Sequence, residues 1–184
     1  MTDHTPNYPP IQDTTEEWRD IPGYEGYYQI SSLGRVKSLF RYKRTGAPVK
    51  ERILKQRVDR GGYLIVNLRI NGVVKTFNTH RLVAIVFLPP IDGMPEVNHK
   101  DGCRINNRIE NLYWVSHRGN ALHALATGLI GHGGRKGTLT PPKVKQIRAY
   151  LRFGLSQDKI AALFGVSQAT ISNIHRGKTW SNVA

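Results

Sequence analysis

Cysteine and acidic side chains are the scarce residues in this chain of 184 residues. Its single thiol, Cys103, excludes an internal disulfide and any Cys₄ zinc ribbon, so no structural zinc is expected. Hydrogen bonds and packing must hold the loops instead. Long apolar runs are also missing: none approaches the roughly 20 residues that a membrane-spanning helix needs, and no charged-then-apolar N-terminus marks a secretory signal. A soluble protein of a reducing cytoplasm is the expectation.

Acidic residues number 13 against 27 lysines and arginines, giving a formal charge of +14. Such an excess implies a polyanionic partner more readily than an acidic small molecule. A basic RNA-binding protein would carry the same charge, so its sign alone does not select DNA. The distribution says more. Residues 1–30 hold one basic and six acidic side chains, 31–89 thirteen and two, 90–134 four and four, and 135–184 nine and one. A neutral middle thus lies between two basic arms, a pattern suited to flanking modules that grip phosphates with salt-sensitive contacts. Two solvated lysine- and arginine-rich faces would look alike.

Residues 1–14, with Pro6, Pro9 and Pro10 among polar neighbours, read as a disordered leader. Residues 15–78 read as a sheet module. Tyr28 and Ile30 suggest a short strand, Ser32 to Gly34 a turn, and Val36 a second strand; further on, ILKQRV, GYLIVNLRI and VVKTFN alternate apolar with polar residues around the hairpin signal Asn71-Gly72. HRLVAIVFL then reads as a short helix stopped by Pro89 and Pro90, with Leu82, Val83, Ile85 and Val86 as its core face. His80, at its start, is expected to be structural, and Arg81 is a candidate phosphate contact.

Residues 125–139 are glycine-rich and read as a linker. Beyond them the pattern turns helical. Val144, Ile147 and Leu151 form one stripe, Ser156 is placed as an N-cap before Ile160, Ala161 and Leu163, Gly165 breaks the helix, and Ile171 and Ile174 resume the stripe. Small Ala161, turn-forming Gly165 and apolar Ile171 stand at helix-turn-helix offsets. The second helix would present Gln168, Thr170, Asn173 and Arg176, whose side chains can pair with base edges in a major groove. A protein-binding three-helix unit is the alternative.

The most specific segment is EVNHKDGCRINNRIENLYWVSHRGNALH, residues 96–123. Glu96 to His99 and Leu112 to Val115 read as strands separated by a loop rich in Asp, Gly, Asn and Arg, and Ser116 as the N-cap of a helix with Asn120 and His123 on one face. The unit is ββα. His99 can accept a proton near neutral pH, while Asn98 and Asn120 offer hard carbonyl oxygens of the kind Mg²⁺ takes. Taken singly, His99 fits equally a hydrogen-bonded histidine at a strand end. The register of Asn98, Asn111 and Asn120 with it favours phosphodiester chemistry.

These residues, with the NLYWVS strand, resemble the HNH nuclease motif of the subgroup found in phage and intron-encoded homing endonucleases. The preceding tryptophan, GYEGYY run and SSLGRVKSL turn resemble the nuclease-associated modular domain that accompanies it. The resemblance implies an α+β chain: a small N-terminal antiparallel sheet, a central ββα-metal nuclease (79–124) and a C-terminal all-α helix-turn-helix (140–184). It implies that His99 is the general base, that Asn111 braces the loop, and that Asn98 and Asn120 hold one divalent ion, Mg²⁺ or Mn²⁺. It also implies double-stranded DNA as partner, with Arg35 and Lys37 as candidate contacts from the sheet. A single centre implies a monomer that nicks one strand, in a bacterial or phage-infected cell.

Relatives often carry aspartate where this chain has Asn98, and Asp101 is a candidate for the missing charge. That substitution keeps a second function class open, a sequence-specific DNA-binding regulator on a degenerate nuclease fold. Open circles from supercoiled plasmid in Mg²⁺ or Mn²⁺ would separate the two. Competition between duplex DNA and structured RNA would address the RNA-binding alternative.

Overall fold

Alternation of apolar and polar residues and a series of tight turns give the N-terminal half its strands. The computed structural model describes residues 16–129 and 138–183. The expected leader and the 130–137 part of the expected linker lie outside them. Chain order begins β1 (Trp18–Asp20), β2 (Tyr28–Ser31), β3 (Val36–Ser38), the small hairpin β4 (Arg41–Tyr42) and β5 (Pro48–Val49), then β6 (Arg52–Ile53). A four-stranded antiparallel sheet runs β1-β2-β3-β6. The Ser32–Gly34 turn falls where the sequence put it, and Ile30 and Val36 face the core with no exposure.

A second antiparallel sheet follows, ordered β7 (Arg57–Val58), β8 (Leu64–Ile70) and β9 (Val73–Asn78). The strands of the basic segment therefore divide between two sheets and a hairpin rather than forming one. Asn71 and Gly72, both at positive φ (50° and 81°), close the β8–β9 hairpin. Along β8, Leu64, Val66 and Leu68 are buried and Asn67 and Arg69 exposed, the two-residue period of a half-buried strand.

Helix α1 (Thr79–Phe87) packs against β2, β8 and β9 on one side and on the other against β10 (Glu96–His99) and β11 (Leu112–Val115). One apolar core results. It runs from Ile21, Ile30 and Val36 through Val66, Leu68, Leu82 and Val83 to Val97, Leu112 and Trp114. Hydrophobic burial is thus continuous across residue 78, where the sequence reading placed a boundary. Leu82 and Val83 take their expected places, but Ile85 is 52% exposed while Ala84 is buried. The helical turn of about 100° per residue carries position 85 to the solvent side.

β10 and β11 pair antiparallel, Glu96 opposite Val115 and His99 opposite Leu112. Helix α2 (His117–Ala126) follows, and its N-cap Ser116 accepts a hydrogen bond from the Gly119 N–H. The ββα unit is complete. α2 extends two residues into the segment read as linker.

The C-terminal unit consists of α3 (Pro141–Arg152), α4 (Gln157–Phe164) and α5 (Gln168–His175). Val144, Ile147, Tyr150, Ile160, Ala161, Ile171 and Ile174 form its core, with Leu151 and Leu163 only partly buried. Gly165 caps α4 in the left-handed conformation (φ 67°); Ser156 sits at the N-cap of α4 without a side-chain cap bond. This unit is docked on the rest of the molecule. Val58 and Ile105 pack against its core, the Tyr150 hydroxyl donates to Gly62 O at 2.7 Å, and Gln146 donates to Gly102 O. Among the described residues, no helix is long and apolar enough to cross a membrane.

Candidate active site

Strand alternation on β10 sends Val97 into the core and turns Glu96 and Asn98 toward α2. Between them and the helix lies a cleft of about 300 Å³, lined by Glu96, Asn98, His99, Asn120 and His123 together with Tyr63, Arg104 and His117. Three of the four proposed chemical residues therefore share one cavity. Asn111, the fourth, does not line it.

His99 is nearly fully buried at the end of β10. Its Nε2 lies 2.9 Å from Asn107 Oδ1. An amide oxygen can only accept, so this contact places the ring proton on Nε2 and leaves the lone pair of the neutral imidazole on Nδ1. Burial pushes the His99 pKa down; the Asn107 bond and the Asp101 charge oppose that shift, and the Arg104 charge reinforces it. A neutral ring able to take up a proton is the consequence. His80 and Tyr63 lie beside it with tilted rings, their centroids 5.2 Å and 6.2 Å from that of His99. His80 Nδ1 is buried without a hydrogen-bond partner, and burial first, then the charges of His99 and Arg81, lower its pKa to about 3.

The loop between the strands is tied by amides and one carboxylate. Asn111 donates through Nδ2 to Asp101 Oδ1 at 2.9 Å and to Asn106 O at 2.8 Å, and its Oδ1 accepts from the Asp101 N–H at 3.1 Å. Asp101 also accepts from the Cys103 N–H and from Asn106 Nδ2. Its carboxylate thus ties the loop together and does not line the cleft, while its charge still acts on His99. Asn111 closes the loop, while the residue that touches the imidazole is Asn107.

Asn98 accepts the His99 N–H on Oδ1 at 2.8 Å and donates from Nδ2 to the Tyr113 hydroxyl at 2.8 Å. Across the cleft, Asn120 donates from Nδ2 to Glu96 Oε2, and His117 Nδ1 meets Glu96 Oε1. The donor set is composed of hard oxygens: two amide carbonyls and one carboxylate. Those oxygens are of the kind Mg²⁺ or Mn²⁺ takes, and the imidazoles of His99, His117 and His123 line the same cleft. Glu96 was missed at the level of sequence, although its i, i+2 relation to Asn98 on a strand puts the two on one face.

The proposed DNA contacts are scattered. Arg35 and Lys37 flank the Trp18 ring at 5.6 Å and 4.6 Å and pair with Glu16 and Glu51 respectively. Arg81 donates to Pro95 O at 3.2 Å. On α5, Gln168 is exposed and Thr170 and Asn173 half-buried; the Thr170 hydroxyl is bonded to Ser167, the helix N-cap. Arg176 stands just past the helix end, with its Nε donating to Ser172 O.

Sequence models of three families match the chain: a NUMOD4 motif over residues 16–69, an HNH endonuclease over 77–122 and a helix-turn-helix over 144–183. DNA endonuclease I-HmuI of Bacillus phage SP01 is 37% identical over 131 residues, which are 71% of this chain and 65% of that protein. An uncharacterised HNH endonuclease of Acanthamoeba polyphaga mimivirus is 35% identical over 61% of this chain and 31% of its own length. A putative HNH homing endonuclease of the SPbeta prophage in Bacillus subtilis, YosQ, is 27% identical over 59% and 65%. The chain therefore spans just under two thirds of the phage relative and about a third of the mimivirus one. A solved structure describing DNA binding and cleavage by I-HmuI superposes with a TM-score of 0.53 at 30% identity, covering 88% of this chain and 90% of that one.

Proposed function

The chain belongs to the HNH homing endonuclease family, and from that premise we propose that it is a site-specific endonuclease that hydrolyses one phosphodiester bond of duplex DNA. The observation that carries this reading is the placement of His99, Asn98 and Asn120 in a single cleft, with the His99 lone pair set on Nδ1 by Asn107.

His99 Nδ1 takes a proton from the attacking water as the water oxygen bonds to phosphorus and the bond from phosphorus to the leaving sugar oxygen breaks, that oxygen taking its proton from solvent. Positive charge then appears on the ring. Asn107 Oδ1, already bonded to Nε2–H, holds the imidazolium as it forms, and Asn111 keeps the loop that carries Asn107 closed. Arg104 lines the same cleft, anchored on Gly61 O and stacked over Tyr63, where its guanidinium can meet a phosphate. Asn98 and Asn120 would hold a divalent ion, Mg²⁺ or Mn²⁺, which when bound supplies charge neutralisation at the scissile phosphate.

Only one such cleft is built from this chain's HNH segment, so each binding event should nick one strand. A monomer suffices for that. Arg35, Lys37 and Arg81 would follow phosphates, and Gln168, Thr170, Asn173 and Arg176 would meet the duplex from the C-terminal unit.

Supercoiled plasmid carrying candidate sites, incubated with Mg²⁺ or Mn²⁺, should give open circles with the wild-type protein. His99→Ala should abolish nicking while gel-shift affinity for the same DNA stays unchanged. Nicking by the alanine variant, or undiminished nicking in chelator, would refute the assignment.

A further inference from the structure

A divalent ion held by two neutral amides would sit in a cleft with no anionic ligand from those residues, in a chain whose formal charge is +14. Electrostatics alone would then oppose the ion, since Arg104 lines the same space. Asp101 does not line that cleft, and its oxygens accept hydrogen bonds inside the loop, so it is not placed as a ligand. Among the described residues, Glu96 is the one carboxylate lining the cleft. It is on the same strand face as Asn98, and its two oxygens reach Asn120 and His117 at the start of α2.

We propose that Glu96 is the anionic ligand of the divalent-metal site, completing with Asn98 and Asn120 an oxygen set whose negative charge it supplies. The inference rests on the metal-dependent reading above. It deepens that reading by naming where the charge resides. Asn98 Oδ1 already accepts the His99 N–H, which leaves it one lone pair for a cation. Asn120 spends its Nδ2 on Glu96, which leaves its amide carbonyl as the oxygen it could offer a cation. The Glu96–Asn120 contact thus joins a carboxylate and an amide across the cleft. His117, whose side chain is 80% exposed, can swing away when Glu96 turns to an ion.

The test is Mn²⁺ binding by the full-length protein, alone and with a short duplex whose own binding is subtracted, followed by the electron paramagnetic resonance of the free hexaaquo ion. Glu96→Gln should weaken Mn²⁺ binding by at least about 10-fold to 100-fold. The decisive variant adds Asn98→Asp to it. Aspartate at 98 can still accept the His99 N–H, so the double variant restores one negative charge on the same face of the strand. Recovery of Mn²⁺ affinity in the double variant supports the proposal.

Unchanged affinity in Glu96→Gln overturns it, as does a loss that Asn98→Asp leaves unrepaired. In the second case Glu96 would act by holding α2 against β10 rather than by its charge. If the wild-type protein binds no Mn²⁺ in either condition, the metal-dependent reading fails first. That outcome is distinct from a variant that binds normally.

Discussion

His80 and His99 lie side by side in the interior, and both are held below the ordinary histidine range chiefly by burial. The unfolded chain takes up a proton on His80 at its ordinary pKa of 6.5, whereas the folded chain resists until about 3. Between those values the unfolded state binds more protons. Stability should therefore be intact above pH 6.5 and fall as the pH drops below it, by up to about 2 kcal/mol for His80 alone between pH 6.5 and 5. Urea unfolding at a series of pH values reads this directly. His80→Phe should flatten the slope, and an unchanged slope would mean that His80 takes up its proton equally in the folded and unfolded chains.

Two other residues show why a list of side chains underdetermines a site. Asn111 was chosen for its register, and the structure gives it the bonds of a loop clamp. Asn107, four positions earlier in the same loop, is the residue whose oxygen meets the imidazole. Both are asparagines in one loop, alike in sequence chemistry. Only their distances to His99 distinguish them.

At the level of elements, the β2–β3 turn and the catalytic loop are locked together. The Ile109 N–H donates to Ser32 O at 2.8 Å, and Gly34, at φ +80°, sits so close to the loop that an added Cβ would fall 2.7 Å from Asn107 Cβ and 2.9 Å from Asn107 O. Gln56 ties the same turn to α1, donating to Gly34 O and accepting from the Thr79 hydroxyl, each at 2.7 Å. Gly34→Ala should accordingly strain the turn and displace Asn107 together. A loss of roughly 1–3 kcal/mol in unfolding free energy is expected from the backbone conformation. Nicking should fall further than the folded fraction does, because the His99 partner moves. Nicking that tracks the folded fraction would leave the turn with a structural role only.

The helical elements follow their signals closely. Ser116 and Gly165 act as sequence chemistry expects, one bonding the Gly119 N–H and the other adopting the left-handed conformation. Ile85 does not, because a run of apolar residues leaves the buried face of α1 unspecified until its neighbours are in place. β8 tells the opposite story: its strict alternation already fixes which side is inward.

Over the whole molecule, one core joins the sheets to the ββα unit, and a second core carries the three C-terminal helices docked through Tyr150, Gln146, Val58 and Ile105. Removing residues 135–184 takes away nine basic and one acidic side chain. Duplex affinity should drop, and the plot of log affinity against log salt should become shallower, since fewer phosphates are neutralised. Slow nicking should persist, because every residue proposed for chemistry lies before position 124. An unchanged salt slope in fluorescence anisotropy would mean that the terminal helices do not touch DNA.

The amino-acid sequence by itself determined the elements and the motif: alternation and turn residues set the strands, caps and apolar stripes set the helices, and the register of His99 with Asn98, Asn111 and Asn120 pointed to the proposed chemistry. These are short-range properties, carried by neighbours a few positions apart. The tertiary structure alone decided that Glu96 rather than Asp101 lines the cleft, that Asn107 holds the imidazole, and that the N-terminal turn presses on the catalytic loop. Each depends on which long-range partner reaches a donor or acceptor first, and hydrogen bonds over 3 Å are fixed only once the core has brought distant segments together.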